Sequence, residues 1–186
     1  KVMIFDIEVE VTEGFPDIEK AENKITSIAF NDALTGKYYC YVLDEDTRLI
    51  NDFDESVTVK TFSNEYDLLY KFFIKYKEIE PTILTGWNVE FFDITYLYNR
   101  AQQVVGQTVA NFLSPIGIVQ WNDYVKKYKI AGVSCLDYLA LYKRFTFSER
   151  PSYRLDAISE YELGEKKVEY EGTLNDLYEN DLKKFV

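Results

Sequence analysis

The chain alternates short apolar runs with longer amphipathic stretches, a pattern typical of α/β proteins. Residues 2–5 are apolar on both alternating faces, so we expect a strand buried on both sides in the centre of a sheet. Runs over 25–30 and 38–43 follow after short turns, and this close spacing favours an antiparallel meander. Residues 44–56 are acidic and without pattern, which predicts a solvated loop, and 57–62 could form a short strand or an extended link.

A stripe of apolar residues at helical spacing predicts a helix that begins after Ser63 or Asn64 and ends before Pro81. A short buried strand over 82–85 and a turn beginning at Gly86 then lead to a second helix over about 92–105. Three strands, a helix, a strand and a helix in this order predict an α/β fold with a mixed sheet. The remaining predictions are a β-hairpin insertion at 116–130, a strand at 133–137, and helices near 137–145, 152–161 and 175–186.

Composition and charge narrow the possible functions. With 32 acidic and 21 basic side chains the net charge is -11, which disfavours a protein that wraps double-stranded DNA non-specifically. The absence of histidine excludes Ser-His-Asp and Cys-His nucleophiles and His-ligated zinc. Cys40 and Cys135 form neither a Cys-x-x-Cys motif nor a dense disulfide framework, which suits a reducing compartment. No apolar run reaches the ~18 residues of a membrane span, so we expect a soluble, cytoplasmic protein.

Two carboxylates stand where the first apolar run ends. Asp6 and Glu8 are two positions apart, so on a strand both point to one face while Ile7 points into the core. Ligands of open α/β sheets bind at the carboxyl ends of strands, and two like charges held this close repel unless a cation lies between them. For such a motif alone, a strand that frays into solvent is the simpler interpretation.

A third carboxylate favours a cation site over a frayed strand. Asp93 follows the buried strand at 82–85 and opens a helix, so it would stand beside Asp6 if the two strands are neighbours. Alone, Asp93 could be a carboxylate favoured by the helix dipole. Three acids in one crevice of a chain without histidine instead indicate a site for Mg²⁺ or Mn²⁺, which prefer oxygen ligands.

Several short segments of the sequence resemble motifs of one known family. The pattern Asp6-x-Glu8 followed by Asn88-x-x-x-Phe92-Asp93 is similar to the first two exonuclease motifs of family B DNA polymerases. The words FDIEV, ILTGWNVE and LDYLALYKRFTF resemble the polymerases of T-even-like bacteriophages in particular. The resemblance covers nearly the whole chain. It implies a ribonuclease H-like fold and a proofreading 3′–5′ exonuclease that removes mispaired nucleotides from a primer end.

The resemblance also implies roles for the acids. Two divalent metals would clamp the attacking and leaving oxygens of phosphodiester hydrolysis. Asp6 would bridge them, Glu8 would hold the ion that activates water, and Asp93 would help to hold the other. The family's third motif, Tyr-x-x-x-Asp, does not occur among residues 1–186, and Asp181 has the wrong spacing from Tyr178 to replace it. We therefore expect an exonuclease domain excised from a longer polymerase before that motif, with weak activity on its own.

Three supporting residues are implied in the same way, each with a simpler alternative. Phe15, in Glu13-Gly14-Phe15-Pro16, would stack on bases of the frayed primer, or fold back on the core. Asn88 would bind the terminal nucleotide, or only complete a turn. Lys167 would approach the scissile phosphate, or remain in solvent, and Lys166 is a rival for that role.

The implied partners are the 3′ end of a single-stranded DNA primer, the remaining polymerase domains in the same polypeptide and a sliding clamp that acts on the full-length protein. No membrane is involved, and the expected location is the cytoplasm of an infected bacterial cell. The family hairpin that helps to separate primer from template is shorter here, at 116–130. Two alternatives stay open: a non-catalytic module that binds single strands or braces a polymerase, and an unrelated ribonuclease H-like nuclease.

Overall fold

A six-stranded mixed sheet organises the protein in the computed structural model, which describes residues 1–11, 14–49, 53 and 56–186. The strand order is β4-β3-β2-β1-β5-β8, and a separate two-stranded hairpin contains β6 and β7. The strands are β1 (Val2–Val9), β2 (Ile25–Asp32), β3 (Lys37–Leu43), β4 (Val57–Phe62), β5 (Ile83–Gly86), β6 (Val119–Asn122), β7 (Lys127–Ile130) and β8 (Ser134–Asp137). The helices are α1 (Glu65–Ile79), α2 (Asp93–Val104), α3 (Gln107–Ala110), α4 (Tyr138–Phe145), α5 (Leu155–Leu163), α6 (Leu174–Asn180) and α7 (Leu182–Phe185).

The first three strands form the predicted antiparallel meander, with Asp6 opposite Ala29 and Ala29 opposite Cys40. Residues 57–62 are a strand rather than a link, and β4 runs parallel to β3. On the other side, β5 and β8 run parallel to β1. The carboxyl ends of β1, β5 and β8 therefore meet at one edge of the sheet.

One face of the sheet carries the main core. Met3, Phe5 and Ile7 alternate along β1 and are each at most 3% exposed, because α1 and α2 pack against this face. Helix α1 begins at the predicted cap, where the Asn64 side chain accepts a hydrogen bond from the Asp67 N–H. The expectation that residues 2–5 are buried on both sides is wrong: Ile4, on the opposite face, is 46% exposed. Helix α4, whose residues are all described, lies on this opposite face, and none of its own residues is buried, so the face is only thinly covered.

The predicted hairpin is present at β6 and β7, within 116–130. It rests on α2, because the Tyr128 hydroxyl donates to Asn99 Oδ1 over 2.6 Å. Sequence reasoning missed α3 and the following 3₁₀ turn at Asn111–Leu113. The expected helix at 152–161 begins later, at Leu155.

The single helix expected at 175–186 is instead two short helices. Asp181 departs from helical geometry, with φ −145° and ψ 72°, and its side chain accepts a hydrogen bond from the Lys184 N–H, so it ends α6 and caps α7. Both helices pack on β3 and β4 in a second apolar cluster that includes Val42, Tyr178 and Leu182. The Tyr178 hydroxyl donates to the Leu43 carbonyl over 2.7 Å and fastens α6 to the sheet.

The mixed sheet flanked by helices is consistent with the ribonuclease H-like architecture that the family resemblance implies, with the hairpin as an insertion. The predicted loop at 44–56 falls partly outside the described residues, as does Glu13. Where the chain is described, no helix is long and apolar enough to cross a membrane.

Candidate functional site

The site forms where β5 stops short beside β1. Pairing between these parallel strands ends at Ile4 with Thr85, and β5 itself ends at Gly86. The sequence predicted that Asp6 and Glu8 stand at the end of the first strand. Strand β1 instead continues to Val9, so both acids lie within it. The remainder of β1 therefore has a free edge on the β5 side, and the following segment fills it.

The turn after β5 depends on Gly86 and Asn88. A Cβ on Gly86 would lie 2.6 Å from the Phe5 carbonyl oxygen, so the backbones approach too closely for any side chain. Asn88 has φ 62°, in the left-handed region that Asn tolerates better than most residues. Its carbonyl accepts hydrogen bonds from the N–H groups of Phe91 and Phe92 at 3.2 Å. This conformation agrees with the turn interpretation of Asn88, and its contact with a nucleotide stays a prediction.

The turn after β5 places Asp93 at the free edge of β1. Asp93 is only 3% exposed, and its Oδ1 accepts a hydrogen bond from the Ile7 N–H over 3.0 Å. This N–H lies beyond the last β1–β5 pair. The carboxylate thus takes the hydrogen-bonding position that a longer β5 would have occupied, which fixes its orientation.

Asp6 and Asp93 hydrogen-bond to each other through their side chains. Burial, together with the neighbouring charge of Asp6, raises the pKa of Asp93 to about 8, and the hydrogen bond from the Ile7 N–H opposes this shift. Asp6 reaches solvent, but withdrawal from water still raises its pKa, against the hydrogen bond from Asp93 and the charge of Lys167. The two acids therefore share a proton when no cation is near them.

Glu8 lies beside this pair rather than inside it. Residues two apart on a strand are separated by about 6.6 Å, so Glu8 is displaced along β1 from Asp6. Burial raises the pKa of Glu8 to about 7, and the charge of Asp6 acts in the same direction. Within the described residues no three Asp, Glu, Cys or His side chains are grouped closely enough to hold a metal ion together. The sequence predicted one cluster of three acids. In the structure Asp6 and Asp93 are in contact, and Glu8 lies beside them without joining the cluster.

Lys167 approaches these acids, whereas Lys166 turns elsewhere. The charge of Lys167 lowers the pKa of both Asp6 and Glu8 against the effect of burial. Its ammonium also lies 5.7 Å from the centre of the Tyr170 ring. Lys166 instead pairs with Glu160 over 2.9 Å. The structure therefore separates the two rival lysines and places only Lys167 within electrostatic reach of the carboxylates.

Phe15 is not part of the core. Its side chain is 70% exposed, and its ring packs at 5.3 Å against Phe92, the residue before Asp93. Both rings line a groove that begins at Glu8 and is closed on its far side by Thr173, Leu174 and Asn175. Sequence reasoning missed this far wall, because nothing in its local pattern distinguishes residues 173–175 from an ordinary helix start.

Two other acids have structural roles. Asp137 ends β8 and accepts hydrogen bonds from the N–H groups of Leu139 and Ala140, which caps α4. Its other oxygen accepts from the Glu90 N–H over 3.2 Å. Asp181 caps α7. Neither is grouped with the Asp6–Asp93 pair among the described residues.

The chemistry of the pair fits a divalent cation. Two carboxylates in contact supply the oxygen ligands that Mg²⁺ and Mn²⁺ prefer, and their raised pKa values show that two full negative charges are unfavourable there unless an opposite charge is bound. One side of Asp6 is open to solvent, which gives an ion and its waters access.

Comparisons with known proteins agree with this chemistry. Residues 1–158 match the family described as DNA polymerase family B, exonuclease domain. The chain is 33% identical over 214 residues to a DNA-directed DNA polymerase of Escherichia phage RB69. It is 32% identical over 213 residues to that of Enterobacteria phage T4, and each match covers the whole chain and 24% of the relative. A DNA polymerase catalytic subunit of Alcelaphine herpesvirus 1 is 32% identical over 180 residues, covering 89% of this chain and 17% of that protein. The chain thus spans about a quarter of the length of its phage relatives.

Proposed function

Because the chain belongs to the exonuclease-domain family of family B DNA polymerases, we propose that it performs 3′–5′ proofreading on the primer strand of such a polymerase. Its substrate is the 3′ end of single-stranded DNA, and its reaction is hydrolysis of the terminal phosphodiester. The contact between Asp6 and Asp93 at the free edge of β1 carries this proposal. Two acids held in contact, one of them buried, are costly to the fold and have a use when they bind a cation.

The three acids would bind two divalent metal ions. Asp6 and Asp93 would hold one divalent cation, and Glu8 together with Asp6 would hold a second. When bound, such ions neutralise the phosphate and lower the pKa of an attacking water. The Ile7 N–H keeps Asp93 in place throughout, because the hydrogen bond comes from the backbone of the strand that also carries Asp6 and Glu8.

Other residues orient the DNA. The Lys167 ammonium, already attracted by Asp6 and Glu8, offsets the negative charge that develops on the phosphate. The exposed ring of Phe15 stacks on a base of the unpaired primer end, and stacking tolerates any base. Asn88 holds the turn in the position from which Asp93 projects, and its side chain contacts the terminal nucleotide.

The proposed partners follow from the family. The remaining domains of a polymerase in the same polypeptide supply the primer strand, and a sliding clamp acts on the full-length protein. The reaction takes place in the cytoplasm of an infected bacterial cell, with Mg²⁺ or Mn²⁺ as the cofactor.

A non-catalytic module that binds single strands or braces a polymerase is the second candidate. One observation favours it: the described residues contain no group of three acids that could enclose a metal ion. Such a module would bind single-stranded DNA but would not cleave it, whichever divalent metal ion is added.

A degradation assay separates the two candidates. A 5′-labelled single strand is incubated with Mg²⁺ or Mn²⁺ and either the 186-residue chain or a version extended by about thirty residues, one further helix with its connection. We expect shortening from the 3′ end by the extended protein and weak cleavage by the chain alone. Asp6→Asn and Asp93→Asn should each lower the rate by at least about 100-fold. Asp123→Asn, at an exposed hairpin position, is the control and should keep the rate. Binding without cleavage in the extended protein would favour the non-catalytic module.

A further inference from the structure

A groove lies between the end of β1 and the start of α6. It encloses about 430 Å³, within the range of pockets that bind small ligands. Glu8 lines one end, and Phe92, which precedes Asp93, lines the wall beside it. The groove therefore adjoins the candidate cation site through Glu8.

Asn175 forms part of the far wall and has an unsatisfied oxygen. Its Oδ1 atom is buried and, among the described residues, has no hydrogen-bond partner. An unpaired buried acceptor destabilises a protein unless some ligand supplies the missing donor. Asn175 already lines the groove, so a rotation of its amide would bring Oδ1 to the groove and would cost that oxygen no hydrogen bond.

The backbone that carries Asn175 is held in place. Thr173 caps α6, and its hydroxyl donates to Asp176 Oδ2 over 2.7 Å, so this hydroxyl is already engaged. At the other end of the helix the Tyr178 hydroxyl is bonded to the Leu43 carbonyl. The position of Asn175 relative to β1 is thus determined by the sheet, which is the rigidity that a recognition residue requires.

The lining chemistry selects the kind of occupant. Glu8 is the only charged side chain among the described lining residues, and it would repel a phosphate. Phe15 and Phe92 present aromatic faces, and Asn175 Oδ1 can only accept a hydrogen bond. A neutral planar group with N–H donors at its edge satisfies all three conditions. A nucleobase is such a group, whereas the phosphates remain near Lys167.

We propose that Asn175 is a positioning residue that accepts a hydrogen bond from the Watson–Crick edge of an unpaired base in the groove. This inference rests on the proposed function, since it takes single-stranded DNA as the ligand. Each of the four bases has an N–H donor on this edge, and in a duplex that donor is already bonded to the opposite strand. Asn175 therefore favours unpaired over paired primer ends without reading their sequence.

Binding of oligothymidylate to the 186-residue chain in EDTA, which prevents cleavage, tests this role. The comparison strand carries 2,4-difluorotoluene, which has the shape of thymine and no N–H donor, in its 3′-terminal positions. The wild type should prefer thymine by about 3- to 10-fold, the worth of one neutral hydrogen bond. Asn175→Leu, of similar size, should lose this preference while its melting temperature stays equal or rises. Asn180→Leu, on the exposed part of the same helix, should keep the preference.

The outcomes are distinct. An Asn175→Leu protein that still prefers thymine as the wild type does would overturn the inference and leave the proposed function intact. An Asn175→Leu protein with a lower melting temperature and equal losses for both strands would assign Asn175 a purely structural role and also overturn it. A wild type that binds neither strand would overturn the inference, whereas the proposed function is tested separately by the degradation assay with metal.

Discussion

Asp93→Asn should make the protein more stable when metal is absent. The amide keeps an oxygen that accepts the hydrogen bond from the Ile7 N–H, now 3.0 Å from Asp93 Oδ1. Its NH₂ group donates to Asp6, in place of the shared proton. The substitution thus preserves shape and hydrogen bonds and removes one of two adjacent acidic groups.

The magnitude follows from the pKa of Asp93, which rises from 3.8 to about 8 on folding. A carboxylate with a raised pKa stabilises the fold at low pH and loses that contribution as the pH rises through the folded value. At 1.36 kcal/mol per pH unit, about 4 kcal/mol should be lost between about pH 5 and pH 8. Local relaxation and entering water reduce this to about 2 kcal/mol.

The assay is urea unfolding of both proteins in EDTA across this pH range. The free energy of unfolding of Asp93→Asn should exceed that of the wild type near pH 8, and the excess should shrink by about 2 kcal/mol near pH 5. Mg²⁺ should reverse the order, because it stabilises the wild type by about 2.7 kcal/mol at a hundred times its dissociation constant. Asp123→Asn is the control, since Asp123 lies on the exposed hairpin.

Two results would refute this reasoning. An Asp93→Asn protein that is less stable than the wild type at every pH would mean that Asp93 supports the fold as an anion. A gain in stability that does not change with pH would show that the shared proton between Asp6 and Asp93 does not exist.

Three further predictions concern the surroundings of the pair. Gly86→Ala should lower the free energy of unfolding by about 2 kcal/mol, since its Cβ would lie 2.6 Å from the Phe5 carbonyl; unchanged urea unfolding would contradict this. Phe15→Ala should weaken single-strand binding in an anisotropy titration by about 1 to 3 kcal/mol and leave the melting temperature unchanged, because the ring is 70% exposed; a large drop in melting temperature would instead indicate a packing role. Lys167→Met should slow single-strand cleavage by the extended protein by about tenfold or more, whereas Lys166→Met should not, and equal rates for the two variants would remove Lys167 from the site.

The meeting of Asp6 and Asp93 could be predicted because both follow apolar runs that must be buried. Once β1 and β5 are neighbours in a parallel sheet, the residues after them share an edge. The Ile7 N–H could not be predicted as the partner of Asp93, because it depends on β5 ending several residues before β1 does. Strand lengths are set by pairing between segments that are far apart in sequence, and a local pattern does not contain that information.

The exposure of Ile4 and the break at Asp181 escaped prediction for different reasons. Ile4 belongs to an apolar run, but its burial depends on how closely α4 covers that face of the sheet. Asp181 lies in an apolar periodicity that continues across it, while its side chain satisfies the Lys184 N–H and so begins a new helix. The unpaired oxygen of Asn175 is likewise a property of the assembled groove rather than of its neighbours in sequence.

The hydrogen bond from Tyr178 to Leu43 joins residues 135 positions apart, and this separation has a consequence for the order of folding during synthesis. The meander of β1, β2 and β3 is complete when the first quarter of the chain has left the ribosome, and such local pairings form early. The wall that contains Asn175 can dock only after α6 has emerged, so the groove is the last part of this region to assemble. A nascent chain halted before α6 should therefore already protect the amides of β2 from hydrogen exchange, yet have no pocket for a base.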